Sequence, residues 1–211
     1  NATALHGIDF EETGLFKKVQ QHIRARRRQF RASLQTSGRK PLPADLPLVE
    51  EVLIGGGGGF PLFPALSSTV LKGHGLIIQG FSIADLVTKG VSPDHVFWLL
   101  LTGELPSARE IKELRTLLEA FSQLPEEVCE LLAFYSQRMP QTTPMEMLTS
   151  AIGAFSGNSR FRDAYANQRV RGEDLWHSLF RDGFSLVARL PAIVGLSYRL
   201  RRARVEGTQP E

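Results

Sequence analysis

The sequence predicts an all-α fold that carries one small β-hairpin near residues 66–81. Helix start signals, in which a serine or threonine precedes an acidic residue by three positions, recur between residues 82 and 146. Apolar residues of the N-terminal segment recur at steps of three and four, the period of an amphipathic helix. The extended pattern Leu76-Ile77-Ile78 follows the turn residues Lys72-Gly73-His74-Gly75. With 211 residues, 42% hydrophobic and 22% charged, the chain suits one or at most two globular domains.

The first predicted element is a basic amphipathic helix within residues 1–40, which ends before Ser37-Gly38. Its apolar stripe consists of Leu15, Phe16, Val19, Ile23, Phe30 and Leu34. No acidic residue occurs between Lys17 and Lys40, and we interpret the basic side as a solvated face or a protein contact. Nucleic acid is the less favoured alternative, because the aromatic interleaving of single-strand binders is missing. Its contacts would be made by Arg24, Arg26, Arg27 and Arg28.

Residues 41–65 are predicted to form a connector rich in proline and glycine. Pro41, Pro43 and Pro47 favour an extended chain, because proline lacks an amide proton and disfavours helix in the residue before it. Five consecutive glycines follow at 55–59. A phosphate-binding P-loop needs a lysine and a hydroxyl residue after its last glycine, whereas Phe60-Pro61 stands here. The glycines therefore do not predict a nucleotide site.

The remaining chain is predicted to be helical up to residue 203. Ser82 with Asp85, Ser107 with Glu110 and Thr143 with Glu146 are capping signals, and Pro93 and Pro144 occupy first helical positions, where a missing amide costs nothing. The predicted helices cover 82–89, 93–102, 107–121, 125–138, 143–155 and 173–203.

The composition excludes several kinds of site. The single cysteine, Cys129, allows neither an internal disulfide nor a multi-cysteine zinc site, and in a helical run it predicts a buried hydrophobe. His74 has no neighbouring carboxylate or second histidine and is expected to be a turn residue. No apolar run is long enough to cross a bilayer. We expect no metal, no cofactor and no transmembrane segment.

Several motifs occur in an order and spacing that resemble the N-terminal half of citrate synthases of the mitochondrial type. They include Gly80-Phe81-Ser82-Ile83, the run from Val96 to Pro106, Ser159-Arg160-Phe161-Arg162-Asp163-Ala164-Tyr165-Ala166 and the run from Phe184 to Pro191. The resemblance covers about residues 76–202 well and 15–59 more loosely. It implies that residues 66–211 form a truncated helical domain of the citrate synthase type.

The resemblance also implies what this stretch does not contain. The family's catalytic histidines and aspartate lie in its C-terminal half, in motifs that do not occur here, so no catalytic residue is assigned. Where the family has an arginine that meets coenzyme A phosphates, this chain has glycines 55–59. Arg171 falls near a second basic position of the family and is the candidate remnant of coenzyme A binding.

In the resembled family the helices that correspond to 125–138 and 143–155 lie in the dimer interface. This implies a contact with a second copy or another subunit at or beside Met147, Ala151 and Phe155. Ordinary core packing is the alternative, because periodicity alone cannot distinguish the two.

Three functions remain open from the sequence. The favoured hypothesis is a catalytically inactive relative, not an enzyme, that serves as a structural or interaction subunit of a larger mitochondrial assembly. The second is the N-terminal part of an active citrate synthase, which condenses acetyl-CoA with oxaloacetate once a C-terminal half completes it. The third is a basic RNA-binding helical protein. A start at Asn1 rather than methionine is expected either of a processed mature form or of the ordered part of a longer protein. A removed presequence would fit a mitochondrial location, although this chain contains no such signal.

Overall fold

A computed structural model describes residues 8–36, 68–71, 75–167 and 175–207. Within the chain, contacts define an N-terminal unit, Glu11–Leu114, and a C-terminal unit, Asn1–Phe10 with Arg115–Glu211. The connector predicted at 41–65 lies outside the described residues, so the domain boundaries predicted at 40 and 65 stay predictions.

The structure confirms the predicted all-α class. The helices of the described residues are α1 Gly14–Thr36, α2 Ile83–Thr88, α3 Pro93–Thr102, α4 Ala108–Ala120, α5 Glu126–Arg138, α6 Pro144–Ala154, α7 Arg160–Ala166 and α8 Leu175–Glu206. Helix α7 and the short 3₁₀ turns Phe10–Glu12 and Phe155–Asn158 were not predicted from the sequence. Ser159 caps α7 by accepting a hydrogen bond from the Arg162 amide. The signal was not recognised because Arg162 stands where a capping box has an acid.

The small β element is a three-stranded antiparallel sheet, one strand more than the predicted hairpin. Its strands are β1 Ser68–Leu71, β2 Gly75–Ile78 and β3 Phe81–Ser82, in the order β1-β2-β3. Ser68 lies opposite Ile78 in the first pair, and Ile77 lies opposite Ser82 in the second. Gln79 and Gly80 both have positive φ, which gives the tight turn that returns the chain into β3.

In the N-terminal unit, α1 packs against α3. The buried side of α1 contains Leu15, Phe16 and Val19, and the Leu15 amide donates to a Glu113 carboxylate oxygen at 3.1 Å. Further along α1, burial lowers the pKa of His22, and the neighbouring charge of Arg26 acts in the same direction. The first half of α1 is therefore a packed element of this unit.

In the C-terminal unit, two clusters form the core. Aromatic rings pack where Phe10 meets Phe121, Phe180 and Phe184, with ring centroids 5.1–5.4 Å from that of Phe10. The second cluster joins α5, α6 and α8 and consists of Val128, Leu132, Met147, Ala151, Ile193 and Leu200. These three helices position the surfaces considered below.

Glu110 is expected to make the N-terminal unit sensitive to acid. Its carboxylate accepts from Lys18 Nζ at 2.5 Å and from the side chain and backbone of Ser107, and these bonds lower its pKa to about 2. Because the folded-state pKa lies below the ordinary glutamate value of 4.5, the stabilisation is present above that value and is lost as the pH falls towards 2.

We expect Glu110→Gln to lower the free energy of unfolding by about 1 kcal/mol at neutral pH, since Lys18 is partly solvated. Urea unfolding of the variant and the unchanged protein at a series of pH values measures this. The free energies of unfolding of the two proteins should become equal as the pH is lowered. Glu119→Gln, an exposed position of the same helix, is the control. A difference in the free energy of unfolding that stays constant down to pH 2 would contradict a stabilising role of the ionised Glu110 carboxylate.

Candidate functional site

Two of the three predicted interface residues lie inside the chain's own core. The side chains of Met147 and Ala151 are 3% and 0% exposed and pack against α5 and α8. Phe155 is half-buried and packs against the same cluster. A contact between copies through these three residues stays a prediction, and in a single chain they connect helices.

The start of α6 is fixed by its cap. The Thr143 amide donates to Glu146 Oε2 at 2.6 Å, while the Glu146 amide donates to Thr143 Oγ1 at 3.3 Å, and Pro144 begins the helix. These bonds from Thr143 lower the pKa of Glu146. The cap determines which residues of α6 face the core and which remain outside.

The outer side of α6 carries apolar and small residues. Met145 is 67% exposed and Ile152 is 38% exposed. A Cβ placed on Gly153 would meet no atom within 4 Å. Gly153 is exposed and small enough for another helix to approach closely. The interface residues predicted from the sequence lie on the buried side of this helix. Periodicity identifies an apolar stripe but does not show whether that stripe faces the chain's own core.

Arg189 of α8 is a partly buried cation that the sequence analysis did not identify. Its Nε donates to the Gln123 carbonyl at 2.9 Å and its Nη1 to Ser185 Oγ at 2.6 Å, and its guanidinium lies 5.2 Å from the Phe155 ring centroid. Burial lowers its pKa, which Asp182 partly opposes. The spacing of Ser185 and Arg189, four residues on one helix, was the available signal. Arg189 holds α8 to the start of α5.

An apolar groove of about 630 Å³ lies between α5 and α8. Its walls include Leu124, Cys129, Ala133, Leu196 and Leu200. Beside it, α8 carries exposed apolar side chains at steps of about one or two helical turns, which we call the α8 stripe: Leu179, Val187, Val194, Tyr198 and Val205. This helix has apolar side chains on its exposed side as well as on its core side. Apolar side chains on the exposed side indicate that another chain segment covers it.

Each described histidine has local contacts of its own. His22 lies against Gly103, and His177 contacts the Trp176 ring. His95 Nδ1 is 2.5 Å from Ser92 Oγ, which also donates to Asp94. This group is not a relay for nucleophilic catalysis, because a relay needs the carboxylate on the other ring nitrogen. It is a local arrangement at the start of α3.

Three positions discussed from the sequence lie outside the described residues: Arg171, the candidate for coenzyme A binding, glycines 55–59, and His74. Arg24, Arg26 and Arg28 are described on α1, and Arg26 Nη2 donates to Gln79 Oε1 at 2.5 Å. Among the described residues no cluster of three metal-ligating side chains occurs, and no described helix is long and apolar enough to cross a membrane.

Comparison with known proteins gives a consistent set of relatives. Residues 64–211 match the family model for "Citrate synthase, C-terminal domain". The chain is 34% identical to peroxisomal citrate synthase of Saccharomyces cerevisiae, covering 72% of this chain and 34% of that protein. It is 30% identical to mitochondrial 2-methylcitrate synthase of Aspergillus fumigatus, over 74% of this chain and 35% of that protein. It is 38% identical to mitochondrial citrate synthase of Emericella nidulans, over 51% of this chain and 22% of that protein.

A solved structure supports the same comparison. Citrate synthase from Pyrobaculum aerophilum superposes with a TM-score of 0.56 at 25% identity, covering 70% of this chain and 35% of that one. The chain thus spans about one third of the length of the relatives that it matches most extensively.

These comparisons correct the expectation that the protein is not an enzyme. The matched relatives are citrate and 2-methylcitrate synthases, which are enzymes, so that expectation is wrong. The predicted role as a subunit of a larger assembly stays a prediction. The relatives include mitochondrial and peroxisomal proteins, so the comparisons leave both compartments open.

Proposed function

The chain belongs to the citrate synthase family, and from this premise we propose that it forms the N-terminal helical part of an enzyme that condenses acetyl-CoA with oxaloacetate. The reaction needs a base for the methyl group of acetyl-CoA, a donor for the enolate and donors that polarise oxaloacetate. His22, His95 and His177 are engaged in separate places. Among the described residues these histidines have local partners, and we propose that the catalytic groups come from a further polypeptide segment that docks on the framework this chain supplies.

The α8 stripe is the observation that carries this proposal. Val194, Tyr198 and Val205 are 54%, 65% and 82% exposed, and the apolar groove between α5 and α8 lies next to them. Burying apolar surface contributes about 25 cal/mol per Å², so an enzyme segment that covers both features gains a strong driving force for docking. Isolated exposed apolar residues are common on proteins, but a stripe that extends along a 32-residue helix indicates an interaction surface.

Complementation tests the proposal. The chain is mixed with the segment of S. cerevisiae peroxisomal citrate synthase that follows the matched region, and thiol release is measured with oxaloacetate and either acetyl-CoA or propionyl-CoA. We expect activity above the sum of the separate parts. Val187→Asp with Val194→Asp should reduce it to below about one tenth, because two carboxylates would be buried at the docking surface. Val87→Asp, at a 71% exposed valine of the N-terminal unit, is the matched control.

Two results would contradict the proposal: no stimulation with either thioester, or stimulation that the α8 aspartates leave unchanged. Circular dichroism confirms that the variants remain folded. Activity with one thioester but not the other identifies the acyl group that the assembled site accepts.

We also propose that the chain forms a homodimer through α5 and the outer side of α6, which Met145, Ile152 and Gly153 line. A small residue there allows another helix to approach closely. We therefore place the proposed contact on the exposed side of α6 and not at Met147, Ala151 and Phe155, the residues predicted from the sequence. Ile152→Arg should shift the protein to half the mass in light-scattering chromatography. Tyr165→Arg, at a 68% exposed position of α7, should not. A protein that is monomeric before substitution would refute the interface.

We propose a mitochondrial location, which the mitochondrial citrate and 2-methylcitrate synthases among the relatives support. Fractionation of cells that express the tagged full-length gene product should recover it with mitochondrial matrix markers. Recovery with peroxisomal markers would instead favour the compartment of the S. cerevisiae relative.

A further inference from the structure

The outer side of α1 carries a line of basic residues. Lys17, Arg24 and Arg28 are separated by seven and four residues, about two turns and one turn of helix, so they share one side of α1. Arg31 continues this line in the sequence, and we call the four positions the α1 basic line. From position 17 to 31 the line measures about 21 Å at 1.5 Å per residue. It is exposed at Lys17, Arg24 and Arg28.

The other described basic side chains of α1 are engaged within the N-terminal unit. Lys18 Nζ lies 2.5 Å from Glu110 Oε1 and 3.6 Å from Glu104 Oε2, and Arg26 binds Gln79. Lys17 contacts Glu12 at 2.7 Å, but both side chains are more than half exposed. Within the described residues, Arg24 and Arg28 have no ion pair. Both side chains are exposed, which makes their charge accessible to a partner.

Charge determines the class of partner. No acidic residue occurs between Lys17 and Lys40, so a partner at this side must itself be anionic. Leu15, Phe16 and Val19 are buried in the N-terminal unit, so the first half of α1 cannot insert its apolar side into a bilayer. Contact through the basic line is therefore electrostatic and lies at the surface of the partner.

Shape favours a flat partner over a nucleic acid strand. A straight line of cations on a convex helix can meet a planar array of phosphates along its whole length. Single-strand binders alternate cations with aromatic rings that stack on bases, whereas Phe30, on the apolar stripe, is the only Phe, Tyr or Trp between 17 and 40. We propose that the α1 basic line docks the protein on an anionic phospholipid surface.

Vesicle co-sedimentation tests this docking with the whole chain. Vesicles of phosphatidylcholine containing about one third phosphatidylglycerol should bind the protein, and pure phosphatidylcholine vesicles should not. Arg24→Gln with Arg28→Gln should weaken binding about thirty-fold, the effect of two basic residues near an anionic surface. The matched control is Arg109→Gln with Arg160→Gln, which removes the same charge from exposed positions on other helices. Binding should also weaken as the salt concentration rises.

The possible outcomes separate the proposal from its competitors. Equal pelleting with neutral vesicles, no pelleting with anionic vesicles, or equal losses in the two double variants would each overturn it. Duplex and single-stranded RNA are added as competitors at equal phosphate concentration. If either releases the protein from vesicles at substoichiometric amounts, the basic line is a nucleic-acid surface and the lipid proposal is wrong.

Discussion

Phe10→Ala is expected to lower the free energy of unfolding of the C-terminal unit by about 3–5 kcal/mol. The ring of Phe10 is 0% exposed and lies among those of Phe121, Phe180 and Phe184. The Arg181 guanidinium lies 5.8 Å from its centroid. Truncation therefore removes apolar burial, aromatic contacts and a cation–π contact from one place, and leaves a cavity of ring size.

Urea unfolding followed by fluorescence and circular dichroism measures this loss. Phe134→Ala is the matched control, because Phe134 is 52% exposed and should cost less than about 1 kcal/mol. Phe10→Leu, which retains most of the volume, should recover part of the difference. A loss below about 1 kcal/mol for Phe10→Ala would show that this ring does not anchor the cluster.

Gly103→Ala is expected to destabilise the N-terminal unit by about 2–5 kcal/mol. Gly103 ends α3 in the left-handed region, with φ of 82°, where a Cβ costs about 1–2 kcal/mol. A Cβ there would also lie 2.5 Å from His22 Cε1 and 2.7 Å from His22 Nδ1, so the imidazole must move and the contact of α1 with α3 is disturbed. Overpacking of this kind typically costs a further 1–3 kcal/mol.

Two comparisons separate the backbone cost from the clash. Gly90→Ala also places a Cβ at positive φ, but no atom lies within 4 Å, so it measures the backbone cost. Gly103→Ala in a His22→Ala background should fall to the same value, because the clashing ring is gone. If Gly103→Ala and Gly90→Ala cost the same with His22 present, the ring moves freely and the close packing has no energetic consequence.

Local chemistry accounts for the parts of the fold that the sequence predicted. The helices that begin at Ile83, Pro93, Ala108 and Pro144 follow Ser82, Ser92, Ser107 and Thr143, and their starts agree with prediction to within about one residue, because a cap depends on neighbours along the chain. Family membership was also predictable, since it rests on the order of motifs.

Tertiary structure decided which sides of these helices are buried. Met147 and Ala151 were predicted near an interface, yet the cluster formed with Val128, Leu132 and Ile193 covers them, because residues more than forty positions apart meet there. The strand Phe81–Ser82 depends on pairing with Ile77 and Ile78 rather than on its own two residues. The role of Arg189 depends on Gln123, in the loop before α5, and on Phe155, in the 3₁₀ turn after α6, both distant from it in the chain.

The sequence by itself therefore determined the helix starts, the basic character of α1 and the family, all of which depend on residues close in the chain or on motif order. Only the tertiary structure decided the exposed α8 stripe, the outer side of α6 and the exposure of Arg24 and Arg28. The physical reason is that periodicity identifies a helix with an apolar side, while burial depends on which distant residues pack against that side.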